Sequence, residues 1–343
     1  MRQLLNTLYI TNPDVYLGLR GENIIILHDD KNIGRFPLHN LESVVVFSRL
    51  GMSPQLMAKC VENNISICFL TPNGRFKARI IGKNNGNVIL RKKQYKFSMY
   101  EEESLKISKN FIIGKIYNEK WIIERYIRDY PLRLQTEKLK EASKNLSRYL
   151  KESNKSKNLD ELRGYEGKAQ VSYFQVFDEL ILNQKEDFYF RDRNKRPPLD
   201  RVNSLLSFTY TLLANDVASA LETVGLDSYV GFMHQDRPGR ISLALDLMEE
   251  FRAPIADRFV LSLINRKQVK PDDFDIKESE AVLISDEARK LILSEWQKRK
   301  QDKLNHPFLN EKIPWGLVPH SQALLLARYL RGDLKEYPPF FWK

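Results

Sequence analysis

Residues 4–47 read LLNTLYITNPDVYLGLRGENIIILHDDKNIGRFPLHNLESVVVF. The runs Leu4–Ile10, Val15–Leu19, Ile24–His28, Ile33–Pro37 and Ser43–Phe47 are short and rich in Ile, Val, Leu and Tyr. Turn signals separate them: Asn12-Pro13-Asp14, Gly21-Glu22-Asn23 and Asp29-Asp30-Lys31-Asn32. This pattern predicts a β-rich start. Ser53-Pro54 then predicts a helix to about Asn63, with serine as N-cap and proline in the first turn. The apolar run Ile65–Leu70 suits a buried strand, Thr71–Gly74 a turn, and Arg75–Ile81 a further strand.

From Ser98 the period changes. Leu105, Ile112, Ile116, Ile123 and Ile127 recur at helical spacing, and Pro131 breaks the helix. A second helix is expected to about Leu150, with Lys151–Asn158 as a polar loop. Further helical patterns cover Leu159–Asn183, Leu199–Val224, Ser242–Asn265, Asp286–Lys300 and Ser321–Arg331. The tail Tyr337–Trp342 carries two prolines and is expected to pack as an extended clamp. The reading is therefore α+β: a β-rich domain over 1–97 and a larger all-α domain over 98–343.

The 343 residues carry 55 Lys+Arg against 44 Asp+Glu, a net charge of +11. That excess favours a polyanionic partner. Residues 1–98 hold 14 cations and 6 acids, and Arg75–Lys96 holds eight cations and no acid. Read as strand plus linker, this stretch with Arg91, Lys92 and Lys93 is either a phosphate-contacting strip or edge-strand protection. A second basic cluster, Arg191, Arg193, Lys195, Arg196 and Arg201, follows Phe188-Tyr189-Phe190 and suits stacking plus phosphate contact, or a solvated loop. Cys60 and Cys68 form no CxxC and read as core residues of a protein in a reducing cytoplasm. No apolar stretch is long enough to span a membrane, and no GxxxxGK[ST] or GxGxxG motif supports nucleotide-driven chemistry.

The candidate chemistry lies in two segments. In Gly231-Phe232-Met233-His234-Gln235-Asp236-Arg237-Pro238-Gly239-Arg240, a loop presents His234 ahead of a helix bearing Asp246, Glu249 and Glu250. Asp246 shares a helical face with both glutamates. Clustered carboxylates with one imidazole suit Mg²⁺ or Mn²⁺, which would polarise a phosphodiester; the alternative is a solvated helix face beside a loop histidine. In Leu162-Arg163-Gly164-Tyr165-Glu166-Gly167-Lys168-Ala169, two glycines flank Glu166. They allow a backbone or phosphate to approach its carboxylate, or simply form a loop-to-helix entry.

Taken in order, LRGYEGKAQVSYF, RDRNKRPPLDRVNSLLSFTYTLL and VGLDSYVGFMHQDRPGRISLALDLMEEFR resemble the CRISPR-associated endonuclease/integrase that captures new spacers. FIIGKIYNEKWIIERYIRD and LINRKQVKPDDF fit the same family, and the closing YPPFFWK resembles its type I-C branch. The resemblance covers essentially the whole chain. It implies an N-terminal β domain and a C-terminal helical domain carrying an Mg²⁺ or Mn²⁺ site. Matched position by position, the implied ligands are Glu166, His234 and Glu249. Asp246 corresponds to a further acidic position often near the metal. The third ligand is commonly Asp in the family, so the longer Glu here leaves Glu250 as a secondary candidate, with register favouring Glu249.

Arg193, Arg196, Arg201, Arg240, Arg91, Lys92 and Lys93 are the expected DNA contacts. The implied partners are double-stranded DNA fragments, branched intermediates and the CRISPR repeat, a second copy of the chain joined through the β domains, and a small ferredoxin-like adaptation protein in a heterohexamer-like complex. The implied setting is the prokaryotic cytoplasm. The implied reaction is metal-dependent transesterification that inserts spacers into a CRISPR array during antiviral adaptation. A general branched-DNA repair nuclease and a non-catalytic DNA-binding scaffold are the alternatives.

Overall fold

The computed structural model describes residues 6–71, 76–80, 88–235 and 237–342. The expected turn at 72–74, Arg75 and Lys83 of the basic strip, and Asp236 lie outside the described residues. The chain forms two compact units, Met1–Asn85 with Ile284–Asp302, and Gly86–Leu283 with Lys303–Lys343.

In the first unit, β1 (Thr7–Ile10), β5 (Ser43–Val46), β6 (Ser66–Leu70) and β7 (Phe76–Ile80) form one sheet in that order. The strands β2 (Tyr16–Arg20), β3 (Asn23–His28) and β4 (Lys31–Pro37) form an antiparallel meander. The β3–β4 turn places Asp29 and Asp30 both at positive φ, 48° and 59°, the backbone that two-residue hairpins prefer. Parallel β5 and β6 need a crossover, and α1 (Pro54–Glu62) supplies it. Its N-cap is Ser53, whose Oγ accepts from Leu56 N at 3.2 Å. Leu17, Ile24, Leu38, Val44, Leu56, Cys60 and Ile67 fill the core. Cys60 and Cys68 are buried, as the sequence reading has them.

The second unit contains α2 (Val88–Met99), α3 (Glu101–Asp129), α4 (Thr136–Lys155), α5 (Leu159–Phe174), α6 (Arg201–Thr223), α7 (Ser242–Phe251) and α8 (Arg258–Asn265). The ribbon strands β8 (Phe274–Ile276) and β9 (Val282–Ile284) follow, the latter ending at the junction of the two units. Then come α9 (Asp286–Gln301), which belongs to the first unit, β10 (Lys303–Asn305), β11 (Lys312–Pro314) and α10 (Val318–Arg331).

The α+β reading holds, a β-rich region followed by a helical one. Details differ: two short two-stranded ribbons, β8–β9 and β10–β11, lie after residue 98. Residues 88–97 form most of α2 rather than a strand or linker of the β domain, and α9 groups with the strands. The expected loop Lys151–Asn158 is helical through Lys155, because Lys151, Asn154 and Lys155 lie on the wet side of an amphipathic helix whose Leu139, Leu146 and Ser153 are buried.

The 29-residue α3 organises the helical unit. It packs against α4, α5 and α7, and its buried face mixes Phe111, Ile112, Ile116 and Ile123 with Gly114, Lys115, Asn118 and Glu119. Asn118 has a clear local cause. The helix of α7 widens into a π-helical turn at Arg252–Asp257, and Pro254 within it has no N–H to give to Glu250 O. Asn118 Nδ2 donates to that carbonyl at 2.8 Å and to Phe340 O at 2.8 Å, while its Oδ1 accepts from Trp342 N at 2.9 Å. The tail is thus the extended clamp its prolines suggested, fixed to α3 behind α7.

Replacing Asn118 by Leu would orphan three buried backbone groups at roughly 1–3 kcal/mol each. Denaturant unfolding should show a loss of at least about 3 kcal/mol; a loss below about 1 kcal/mol would contradict this role.

Candidate active site

Glu166 lies mid-way along α5, and Glu249 lies in the last turn of α7. Both helices pack on α3, and α3 places Lys115 between them. The Lys115 ammonium, 2% exposed, donates to Glu166 Oε1 and lies 2.9 Å from Glu249 Oε2. That second contact is an ion pair without hydrogen-bond alignment, so Glu249 Oε2 stays buried and short of a directed donor. Glu249 Oε1 pairs with Arg252 at 2.9 Å. Burial alone would push the Glu249 carboxyl up, but Arg252 and Lys115 outweigh it and hold it at about 2. Desolvation works against the Lys115 charge too, and Glu249 and Glu166 more than offset it, raising its pKa.

His234 is positioned by Asp246. The Asp246 carboxylate is wholly buried and accepts from the backbone N–H of Phe232 at 2.6 Å, Met233 at 3.0 Å and His234 at 3.0 Å. His234 Nδ1 lies 2.5 Å from Asp246 Oδ1. With Nδ1–H on the carboxylate, Nε2 keeps its lone pair and has no partner among the described residues. The loop comes this close because residue 231 is glycine: a Cβ there would lie 2.8 Å from Asp246 Oδ2 and 2.8 Å from Ser242 Cβ. Arg163 of α5 ties the loop down from the other side, its Nη2 donating to Met233 O at 2.8 Å.

Glu166 and Glu249 are therefore gathered on one cation. Asp246 is spent on four donors and orients His234. Glu250 faces the opposite way: its Oε2 accepts from Phe340 N at 2.7 Å and Gln322 Nε2 at 3.1 Å, and burial pushes its carboxyl up to about 8. Among the described residues, no three His, Cys, Asp or Glu side chains are gathered closely enough to hold a metal as they stand. Yet Glu249 Oε2 without a directed donor, the free His234 Nε2 and a hard oxygen-plus-imidazole donor set fit Mg²⁺ or Mn²⁺. The glycines beside Glu166 lie within α5, correcting the loop-to-helix reading, and a Cβ on Gly164 or Gly167 would meet nothing within 4 Å.

The basic residues divide. Arg193 turns inward, donating to Asn203 Oδ1 at 2.6 Å and Ser207 Oγ at 3.1 Å and lying over the Tyr210 ring. Arg201 Nη1 donates to Asp187 O at 3.0 Å. On α2, Arg91 donates to Gly225 O at 3.2 Å and Lys93 to Arg331 O at 2.5 Å, both at helix C-terminal ends where a cation is favoured. Lys92, Lys195 and Arg196 are exposed. The surrounding chain lowers the Lys195 ammonium, with Arg252 and Arg193 adding to the effect. Arg240 is half-buried, its guanidinium lowered by burial and by Arg237. Sequence reading missed Lys115, Asn118 and Arg252. For Lys115 and Asn118 the available signal was polar residues falling in the apolar phase of α3.

The fold and site define a two-part α+β protein with a carboxylate–imidazole centre in its helical part. The family model for CRISPR associated protein Cas1 matches residues 8–298. The chain is 46% identical over 343 residues to the CRISPR-associated endonuclease Cas1 1 of Chlorobaculum tepidum, covering 100% of both chains. A CAS1 protein from Thermotoga maritima has the same fold, with a TM-score of 0.82, 22% identity and coverage of 97% of this chain and 99% of that one. A casposase bound to integration product gives a TM-score of 0.83 at 22% identity, over 98% of this chain and 94% of the casposase. The chain belongs to the CRISPR-associated Cas1 family. None of its described helices is long and apolar enough to cross a membrane.

Gly231→Ala should force the His234 loop off α7. DNA cleavage is expected to fall by about 100-fold, the usual consequence of an ångström-scale misplacement, with the melting temperature lowered as well. Full activity in Gly231→Ala would refute the Asp246 cradle.

Proposed function

We propose that the chain is a metal-dependent DNA endonuclease and integrase of CRISPR adaptation, of the type I-C branch, which inserts spacers into a CRISPR array. The observation that carries this reading is the pairing of Glu166 and Glu249 on a buried cation, next to a histidine whose Nε2 is kept free by Asp246. Glu166, Glu249 and His234 Nε2 would hold Mg²⁺ or Mn²⁺, which when bound polarises the scissile phosphate and eases loss of the attacking proton.

The chain's own residues do the rest. Asp246 keeps His234 in the tautomer with the lone pair on Nε2. Arg252 keeps the Glu249 carboxylate ionised. Gly164 and Gly167 leave room beside Glu166 for a phosphate. Exposed Lys92, Lys195 and Arg196, with half-buried Arg240, hold the DNA backbone, so binding weakens steeply with salt. Arg193, Arg201, Arg91 and Lys93 support these groups from within the fold.

In the joining reaction the 3′-hydroxyl of the incoming fragment attacks a phosphodiester at the repeat boundary. A new P–O bond replaces the old one, the attacking hydroxyl gives up its proton, and the departing 3′-oxygen gains one. Water takes the hydroxyl's place in cleavage. The chain acts as a homodimer joined through the β domains, together with a small ferredoxin-like adaptation protein in a heterohexamer-like complex, in the prokaryotic cytoplasm.

The test uses a branched duplex and a supercoiled plasmid bearing the repeat, with and without the partner protein. Nicking and joining should require Mg²⁺ or Mn²⁺, stop with EDTA, and fall at least about 100-fold in Glu166→Ala and His234→Ala. Activity unchanged in both variants would overturn the assignment.

The glycines give a second test with opposite signs. Gly167→Ala adds helix propensity in open space, so stability should rise by about 0.5–1 kcal/mol. Joining should nevertheless fall by about tenfold as the methyl meets the phosphate path. Unimpaired joining in this variant would contradict the proposed approach beside Glu166.

A further inference from the structure

The Glu166–Glu249 pair is already neutralised. Two carboxylates face two buried cations, Lys115 between them and Arg252 on Glu249 Oε1. A divalent ion entering this space adds two positive charges to a balanced, poorly hydrated cluster and meets the Lys115 ammonium where it must bind. Repulsion between cations at contact distance is strong away from bulk water. Relief can come from outside, by an added anion, or from inside, by moving the ammonium.

Both are available. A DNA phosphate is the anion this site would process. On α3 itself, one turn beyond Lys115, stands Glu119, only 3% exposed, with an Oε2 that has no hydrogen-bond partner. Residues four apart on a helix are neighbours. Burial pushes the Glu119 carboxyl up to about 8, while the nearby Lys115 ammonium pulls it the other way. Gln170 Oε1, 3.5 Å from the ammonium, lies within reach as a further acceptor.

Building on the metal-site reading above, we propose that Lys115 is a displaceable internal counter-ion: it bridges Glu166 and Glu249 in the free protein, and it gives way toward Glu119 when a metal ion enters with a DNA phosphate. Metal and DNA then bind with positive coupling. The free protein holds metal weakly and does not act as a standing nuclease. By linkage, metal strengthens DNA binding by the same factor.

The experiment measures Mn²⁺ affinity from the paramagnetic resonance signal of free Mn²⁺. It uses the full chain alone and with a branched DNA duplex, and subtracts Mn²⁺ bound by the duplex by itself. In the wild type, DNA should tighten Mn²⁺ binding by at least about tenfold. Lys115→Met should bind Mn²⁺ at least about tenfold more tightly without DNA and lose most of the coupling. Lys115→Arg should restore weak binding and coupling. Glu119→Gln leaves the ligands in place and removes a buried acid, so it folds whether or not Lys115→Met does. It should weaken Mn²⁺ binding in the presence of DNA by about tenfold.

Unchanged or weaker Mn²⁺ binding in Lys115→Met would overturn the proposal, as would unchanged binding in Glu119→Gln. Glu249→Gln separates this from the underlying reading. If that variant keeps wild-type Mn²⁺ binding, the metal site itself is misassigned; if it loses binding while the Lys115 and Glu119 variants behave as wild type, only the counter-ion role fails.

Discussion

The Lys115 ammonium, buried among α3, α5 and α7, is the contact on which the centre depends. Two carboxylates brought together from separate helices repel unless a cation lies between them, and both partners of a buried pair lose hydration that the pairing must replace. Here Lys115 meets Glu166 and Glu249, and Arg252 takes the remaining oxygen of Glu249. This explains why α3 carries charge on a buried face and why it is flanked by helices at close range. The same charge balance makes the centre a place that exchanges one cation for another.

A second layer holds the first in place. Pro254 opens a π-helical turn after α7 and frees Glu250 O; Asn118 captures that carbonyl and the tail together. Glu250, adjacent to Glu249 in sequence, faces the tail and Gln322 instead of the centre. Asp257 accepts from Tyr173 at 3.1 Å and Tyr210 at 2.6 Å, and burial pushes its carboxyl up to about 6. Asp246 performs the corresponding service for His234. The side chains proposed to act on DNA therefore sit on elements whose polar atoms are bonded from behind, which is what keeps a site in one geometry.

Much of this was legible in the sequence. Strands of the first unit follow from short apolar runs punctuated by Asp, Asn, Gly and Pro, and α1 from its Ser53-Pro54 entry. Glu166, His234 and Glu249 stood out because carboxylates and an imidazole fell in segments that resembled a family. What stayed hidden is polar chemistry that only tertiary contact reveals. Lysine is rarely buried, so Lys115 reads as a surface residue until Glu166, far along the chain, is brought to it. Arg193 looked like a DNA contact because sequence cannot tell a guanidinium bound to Asn203 and Ser207 from one facing solvent. The run Lys151–Asn158 looked like a loop because composition ignores which side of a helix is wet. The glycines around Glu166 argued against a helix, yet packing imposes α5 over their weak propensity.

The most direct measurement is an anomalous-diffraction map of crystals grown with Mn²⁺ and a joined DNA product. The account predicts a single strong manganese peak shared by Glu166, Glu249 and His234 Nε2, with a phosphate oxygen on the same ion and the Lys115 ammonium shifted away from its bridging position. Manganese bound elsewhere, or Lys115 still bridging both glutamates beneath the product, would contradict it.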